Sequence, residues 1–596
     1  MRNAQGIPIR NRILITLGLA LLVVGWALPA AATPGPRKLV VPEDPNPPSG
    51  GGFGMPGIDL RSPLEIAQTG VLVNASKRTG NQSETTIGIN PTNPNNVVLF
   101  SNEGSASAIF HAYSFDGGVT WTGGDILSGA CCDGQCVFDS FGNLFFVYIP
   151  GSVSSVVVVM STDGGVTFGS PITVGTGSID QPSIAVGNGS LWVDWNLNGN
   201  MVVRGAPVTG LGQLGAFGAQ ENVPGNGGSF GGLAVGPGPN GGKVMITYEN
   251  PYGDQGPANI YVNVDPDGLG PQGFGPQVLA TSTNVGGFDY IPAQPNRSID
   301  AECSVAWDAT GGQYNDRAYL LYTDETVNEN NDTDIEVRVS NDEGATWGPP
   351  HRVNDDPGLP LIRSQFLPFF SLDPTTGVVA AGWHDCRNDN GVPGTGGTNN
   401  IPNDDAEYFC SFTADGGNTW AANVQLTGGF SNATDAHNGI DYGDFVGTVA
   451  YGGVFRAAWA DNSNSTGDNP NGTLHQFDIY TNSMPLLDPS SGVRPTPGAP
   501  LRIAAHPTLQ PPMPNPASGA VSLAYLLPAT EHALLTVHDI SGREVARLTD
   551  GVSTSGRHTL NWDGHSADGS RLPAGVYFVR LTAGGERQVQ QAVILK

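Results

Sequence analysis

Four stretches of the chain repeat one phrase: SFDGGVTW at 114–121, STDGGVTF at 161–168, SNDEGATW at 340–347 and TADGGNTW at 413–420. Each runs hydroxyl residue, spacer, Asp, a glycine-containing turn, Thr, aromatic. An Asp followed by Gly suits a tight hairpin: the carboxylate accepts backbone N–H groups across the turn, and Gly takes the positive φ. The aromatic then packs against a neighbouring strand. Identical chemistry spread around a repeat cannot all meet at one substrate. The phrase is therefore read as structural punctuation, carried by Asp116, Asp163, Asp342 and Asp415 with Trp121, Phe168, Trp347 and Trp420.

The spacing of the phrases is uneven. Asp116 to Asp163 is 47 residues and Asp342 to Asp415 is 73, so the interval between Asp163 and Asp342 hides further units. A degenerate copy, VDPDGLG, places Asp267 there, and a copy near VRGAPVTG (203–210) has lost its Asp. Before each phrase come an apolar strand, a turn, a second strand, a polar break and a third strand; a fourth strand follows. Reading that rhythm gives seven starts: ETTIGINP, CVFDSFG, PSIAVGN, GGLAVGP, CSVAWDA, FLPFFSLDP and DFVGTVAYGG. Repeats of four short antiparallel strands build an all-β propeller. The seventh start lacks a fourth strand, and VLVNAS (71–76) stands before the first, where it can close the last blade and hide an open edge. Seven blades fit this count better than six.

These phrases resemble the Asp box, or BNR repeat, of the sialidase superfamily, over residues 70–484. The resemblance implies a propeller with its active face built from loops entering the first strand and loops joining the second and third. It leaves activity open, since that superfamily contains sialidases, other glycosidases and propellers used only for binding. A Pro/Ser-rich linker, 485–511, precedes a tail at 512–596 that reads as a small Ig-like β-sandwich. NPASGAVSL, DISGREV, WDG, DGSRLPAGVYFVRL and the terminal VILK resemble the FlgD-like Ig fold and the C-terminal sorting domain of the type IX secretion system. That resemblance implies delivery to the cell surface or beyond through the secretion machinery.

The other end points the same way. Arg2, Arg10 and Arg12 precede an apolar run, and Ala30-x-Ala32 offers a cleavage site, so residues 1–32 read as a signal peptide and 33–69 as a Pro/Gly-rich N-terminal segment. No transmembrane candidate follows. Cleavage takes the formal charge from -28 to -31 by removing three arginines. Such a surface repels nucleic acid and anionic membranes and tolerates cations. In an oxidising compartment the six cysteines permit one or two disulfides, and Cys386 and Cys410, flanking one long loop, are the expected pair.

The entering loops carry Glu84, Asp133, Asp180, Asp300, Glu302, Asp441 and Asp444; the loops between strands two and three carry Glu103, Asp194, Glu249, Asp324, Asp385 and Asp461. Converging carboxylates hold Ca²⁺ or work in pairs as acid and base on glycosides. Asp300, Glu302, Asp324 and Asp461 are the calcium candidates, and no other cofactor is required. GIDYGDF (439–445) and GWHDCRND (382–389) supply Asp441, Tyr442, Asp444 and Asp385 as catalytic candidates. A sialidase grips its substrate's carboxylate with three arginines. The superfamily's Arg-Ile-Pro signature is missing here, and Arg78, Arg297 and Arg363 are the stand-ins. No nucleophile elbow, phosphate loop or His-Glu-x-x-His motif is present. The expectation is a secreted propeller that binds a glycan or a surface protein through an acidic face. An exo-glycosidase with a divergent site is the alternative, and a rigid adhesive protein is a third possibility.

Overall fold

The computed structural model describes residues 70–486 and 508–595, both with short interruptions. The expected signal peptide, the N-terminal segment to residue 69 and most of the linker lie outside the described residues. Within 70–486 there are seven antiparallel sheets with a main path of four strands each, six of them consecutive meanders. In the last, Val73–Asn74 pairs with Asp478–Pro485, so the first strand of the chain completes the sheet that the end of the propeller leaves open. The innermost strands are Gln82–Ile89, Ala130–Phe138, Ile179–Gly187, Ser229–Gly236, Ser304–Trp307, Gln365–Leu372 and Gly447–Tyr451. Each touches the next in that order, and the last touches the first, so the sheets close a ring. The protein is an all-β propeller.

The core lies between sheets rather than within them, because each sheet is apolar on both faces. In Leu144–Pro150 every residue but the last is buried. Phe145, Val147 and Ile149 face one neighbour, while Leu144, Phe146 and Tyr148 face the other. This is the period-2 alternation of a strand packed on two sides.

The repeated turns staple neighbouring sheets. Asp116 accepts from Val119 N, Thr120 N and Thr120 Oγ1, while Ser114 Oγ donates to it and accepts from Gly118 N. Asp163, Asp342 and Asp415 repeat the Ser/Thr and Thr bonds. These hydrogen bonds outweigh desolvation and hold all four carboxyls below the usual Asp range. Each turn then docks on the preceding sheet. Asn96 of the first sheet donates to Gly164 O of the second, and Arg317 of the fifth donates to Gly416 O of the sixth. In the degenerate copy Asp265 replaces the hydroxyl residue and accepts from Asp267 N and Gly268 N.

Residues 508–595 form a separate β-sandwich. One sheet orders Thr508–Leu509, Val521–Leu527 and Gly556–Trp562; the other orders Glu544–Ser553, Glu531–His538, Gly575–Ala583 and Glu586–Ile594. Alternate residues such as Leu523, Tyr525 and Leu527 meet Leu535, Val537, Val579 and Leu581 in its core.

The expected Cys386–Cys410 disulfide does not form; both thiols are free and buried. Cys410 pairs across the ladder with Gly382, four residues from Cys386. That offset is roughly 13 Å along the strand, far beyond disulfide reach. The disulfide present joins the adjacent Cys131 and Cys132. Among the described residues no helix is long and apolar enough to cross a membrane.

Candidate functional site

The propeller axis holds a cavity of about 720 Å³ walled by the inner strands of all seven sheets. One end is bordered by Asp133, Gln181, Phe230, Glu302 and Asp444. A shared backbone device places them. Glu84, Asp133, Gln181, Phe230, Glu302 and Leu367 all sit at φ between 44° and 56°, and Gly443 is at 89°. Five of these positions coincide with a register shift in the ladder between first and second strands. An unpaired residue in the left-handed region re-aims its side chain out of the strand's alternation. Left-handed Glu, Asp, Phe and Leu are costly, and such strain gathers where a site needs it.

A second device brings the cation. Between the fourth and fifth sheets a hairpin, Asp289–Ile291 with Gln294–Ile299, reaches to the entry loop of the seventh sheet. Gln294 Oε1 accepts from Tyr442 N and Nε2 donates to Gly443 O. Asp441 accepts from Asn296 N, Asn296 Nδ2 and Arg297 N, at 2.7 to 2.9 Å. So anchored, Arg297 forks onto Asp444, with Nε 2.5 Å from Oδ1 and Nη2 on Oδ2. The Arg297 side chain remains 38% exposed, against 13% for Asp444.

Six carboxyl groups share this place. Burial, with the charge of Asp180 and Asp444 added, pushes Asp133 up to about 7. Burial and Asp444 do the same to Asp300. Glu84 and Glu302 are pushed well above the carboxylate range by burial and their acidic neighbours, and Asp180, at the solvent edge, is raised too. Asp180 shares a side-chain hydrogen bond with Asp133, and Asp300 shares one with Glu302. Gly443 makes room for this packing, since a Cβ there would overlap Glu84 Cγ. Near neutral pH the site offers protonated carboxyls, Glu84 and Glu302 foremost, beside Asp444 in its ion pair with Arg297.

Of the residues expected from sequence, Arg297, Asp444, Asp300 and Glu302 meet here. The others have different work. The three arginines do not converge. Arg78 pairs with Glu103 and Asp125, while Arg363 donates from its side chain to Ile362 O and from its backbone N to Asp332. The side chains share no partner. Tyr442 is fully buried with its hydroxyl donating to Ser431 O, and burial pushes that phenol far up, so it is a core residue and no exposed nucleophile. Asp441 braces the hairpin. Asp385 accepts from Trp383 Nε1 and from Arg387, and Asp461 accepts from Trp459 Nε1 in the same Trp-x-Asp arrangement one sheet on. Asp324 secures Thr283 and Asn284. The four calcium candidates are therefore split among three places, with only Asp300 and Glu302 together.

Glu84, Asp133 and Asp180 belong to the site, yet in the sequence they stand out only as entering-loop acids. A signal for two of them is present. In every sheet with such a residue, the left-handed position stands three before an apolar residue or Cys: Glu84 before Ile87, Asp133 before Cys136, Glu302 before Val305, Gly443 before Val446.

The profile of the FlgD Ig-like domain matches residues 516–586. No curated protein matches the chain significantly. Among solved structures, the α-L-arabinanase of Penicillium chrysogenum complexed with arabinobiose is 12% identical, covering 54% of this chain and 93% of its own, with a TM-score of 0.35. The phage phi92 endosialidase is 11% identical over 87% of this chain and 81% of its own, at 0.36. A point mutant of the NanB sialidase of Streptococcus pneumoniae is 9% identical over 55% and 68%, at 0.35. At such identities these likenesses carry no information about substrate.

Proposed function

We propose that the protein is a secreted propeller that recognises glycans at the axial acidic face. The observation that carries this reading is the gathering of Glu84, Asp133, Asp180, Asp300, Glu302 and Asp444 around Arg297 at one end of the axial cavity. Protonated carboxyls donate hydrogen bonds and the Asp444 carboxylate accepts them, which matches the alternating donors and acceptors of sugar hydroxyls. A net-acidic mouth favours neutral or basic sugars over anionic ones. The N-terminal segment, the Asp-box resemblance and the sorting-domain resemblance of residues 512–596 support a surface or extracellular location. Mass measurement of the secreted protein tests that location, with both terminal segments expected to be missing.

One feature favours hydrolysis as a second reading. Glycosidases work with a pair of carboxyl groups, one of them an acid, and Asp133 or Asp300, raised by burial, together with Asp444, paired to Arg297, offers such a set. A panel of neutral, basic and sialylated glycans, each tested for binding and for turnover by the full chain, separates the two. Asp444→Asn is expected to weaken binding at least about tenfold, or to lower turnover about a hundredfold or more if the site is hydrolytic. Unchanged binding and turnover in Asp444→Asn and Asp133→Asn alike would remove the axial site from the function.

A further inference from the structure

The second and third strands of the sixth sheet are joined by residues 386–404, the longest such connection in the ring. Asp389 and Asp404 lie on it and Asp405 opens the third strand; all three are buried, and one oxygen of each is within 4.8 Å of the others. Every donor they receive is neutral. Asp389 accepts from Gly391 N, Asp404 N and Asp405 N. Asp405 accepts from Thr398 N, Thr398 Oγ1 and Asn432 Nδ2, and Asp404 Oδ2 accepts from Asn399 Nδ2 and Asn432 Nδ2. One oxygen is left over: Asp404 Oδ1 is buried, in a residue only 5% exposed, and has no hydrogen-bond partner.

Three buried carboxylates at this separation repel one another, and neutral donors do not cancel their charge. A cation does. The atoms on offer to an ion are carboxylate oxygens, which select a hard ion. A crowded, irregular oxygen set suits Ca²⁺, which takes six to eight ligands in flexible geometry, better than Mg²⁺, which keeps its waters. Backbone also comes in closely, since a Cβ on Gly397 would lie 2.5 Å from Asp389 Oδ1 and 3.1 Å from Asp405 Oδ2. We propose that Asp389, Asp404 and Asp405 bind one calcium ion that fixes the 386–404 loop and, through Asn432, the segment that carries Asp441 and Asp444. Asn432 opens a short helix, Ala433–Ala436, and the next residues lead to the axial site. This site stands independently of what the axial acids bind.

The test uses the full chain stripped with EDTA. Calorimetric titration with CaCl₂ is expected to give one site with Kd on the order of 10⁻⁴ M or tighter. Asp404→Asn, which keeps the shape and removes the charge, is expected to weaken it tenfold or more. A second measurement needs no variant: Ca²⁺ should slow proteolytic cutting of the wild-type chain within 386–404 several-fold, with Mg²⁺ much less effective. Absence of calcium uptake with unchanged cutting would overturn the proposal, as would full uptake by folded Asp404→Asn.

Discussion

Arg297→Met is expected to melt well below the wild type at pH 8 and to recover most of that difference at pH 5. Arg297 lowers the pKa of Glu84, Asp133, Asp180 and Asp300 by its charge and forks onto Asp444. Removing one partner of a buried pair costs roughly 3–5 kcal/mol, and the 38% exposure of this side chain reduces the loss to about 2–3 kcal/mol at pH 8. The pH dependence distinguishes this from simple loss of packing. Asp133 and Asp300 titrate near 7 in the fold against 3.8 ordinarily, so between those values the folded chain holds protons that the unfolded chain releases. Their contribution is complete below about pH 4 and declines as pH rises through 7. The four turn aspartates have the opposite sign: lowered in the fold, they stabilise it above 3.8 and lose that effect in acid. Wild-type stability should peak at about pH 4–5, and without Arg297 the alkaline decline should steepen. Melting curves from acid to mildly alkaline pH in EDTA check this; an equal deficit at pH 5 and pH 8 would mean Arg297 acts by packing alone.

The second large effect is expected at the seam of the ring. Gly447 begins the innermost strand of the seventh sheet, against the first. A Cβ there would meet Ile87 N and Thr86 Cα at 2.8 Å and Thr86 C at 2.9 Å. These are backbone atoms and cannot rotate away. Thr85 Oγ1 also sits at this seam, accepting from Gly447 N and donating to Ala458 O. Gly447→Ala must therefore part the two strands and stretch those bonds. A loss of about 3 kcal/mol or more is expected, at the upper end of overpacking costs. Gly439→Ala, where a Cβ meets nothing within 4 Å but φ is 76°, should cost only about 1 kcal/mol. Denaturant midpoints of the two variants give the comparison, and equal losses would show that the seam yields.

Much of the architecture is legible in the sequence because its causes are local. Asp116 and its three equivalents bond within four residues of themselves, so the phrase carries its own geometry. The Cys386–Cys410 expectation failed for the opposite reason: two positions flanking a loop are evident in the sequence, but their ladder register is not. Tyr442 and Asp385 lie in acidic, aromatic stretches, and only packing reveals that one is core and the other a partner of Arg387.

By itself the sequence determined the repeat, the hairpin turns, the strand alternation and the C-terminal sandwich, all set by hydrogen bonds and burial patterns a few residues long. Tertiary structure alone decided which acids meet. Arg297 and Asp444 are 147 residues apart in the chain, and Gly443 and Glu84 come from its last and first propeller sheets. Their meeting depends on ring closure, on left-handed bulges that turn Glu84 and Asp133 inward, and on a hairpin that reaches another sheet. Charge-charge distances, and hence the raised carboxyl pKa values, exist only once those long-range contacts have formed.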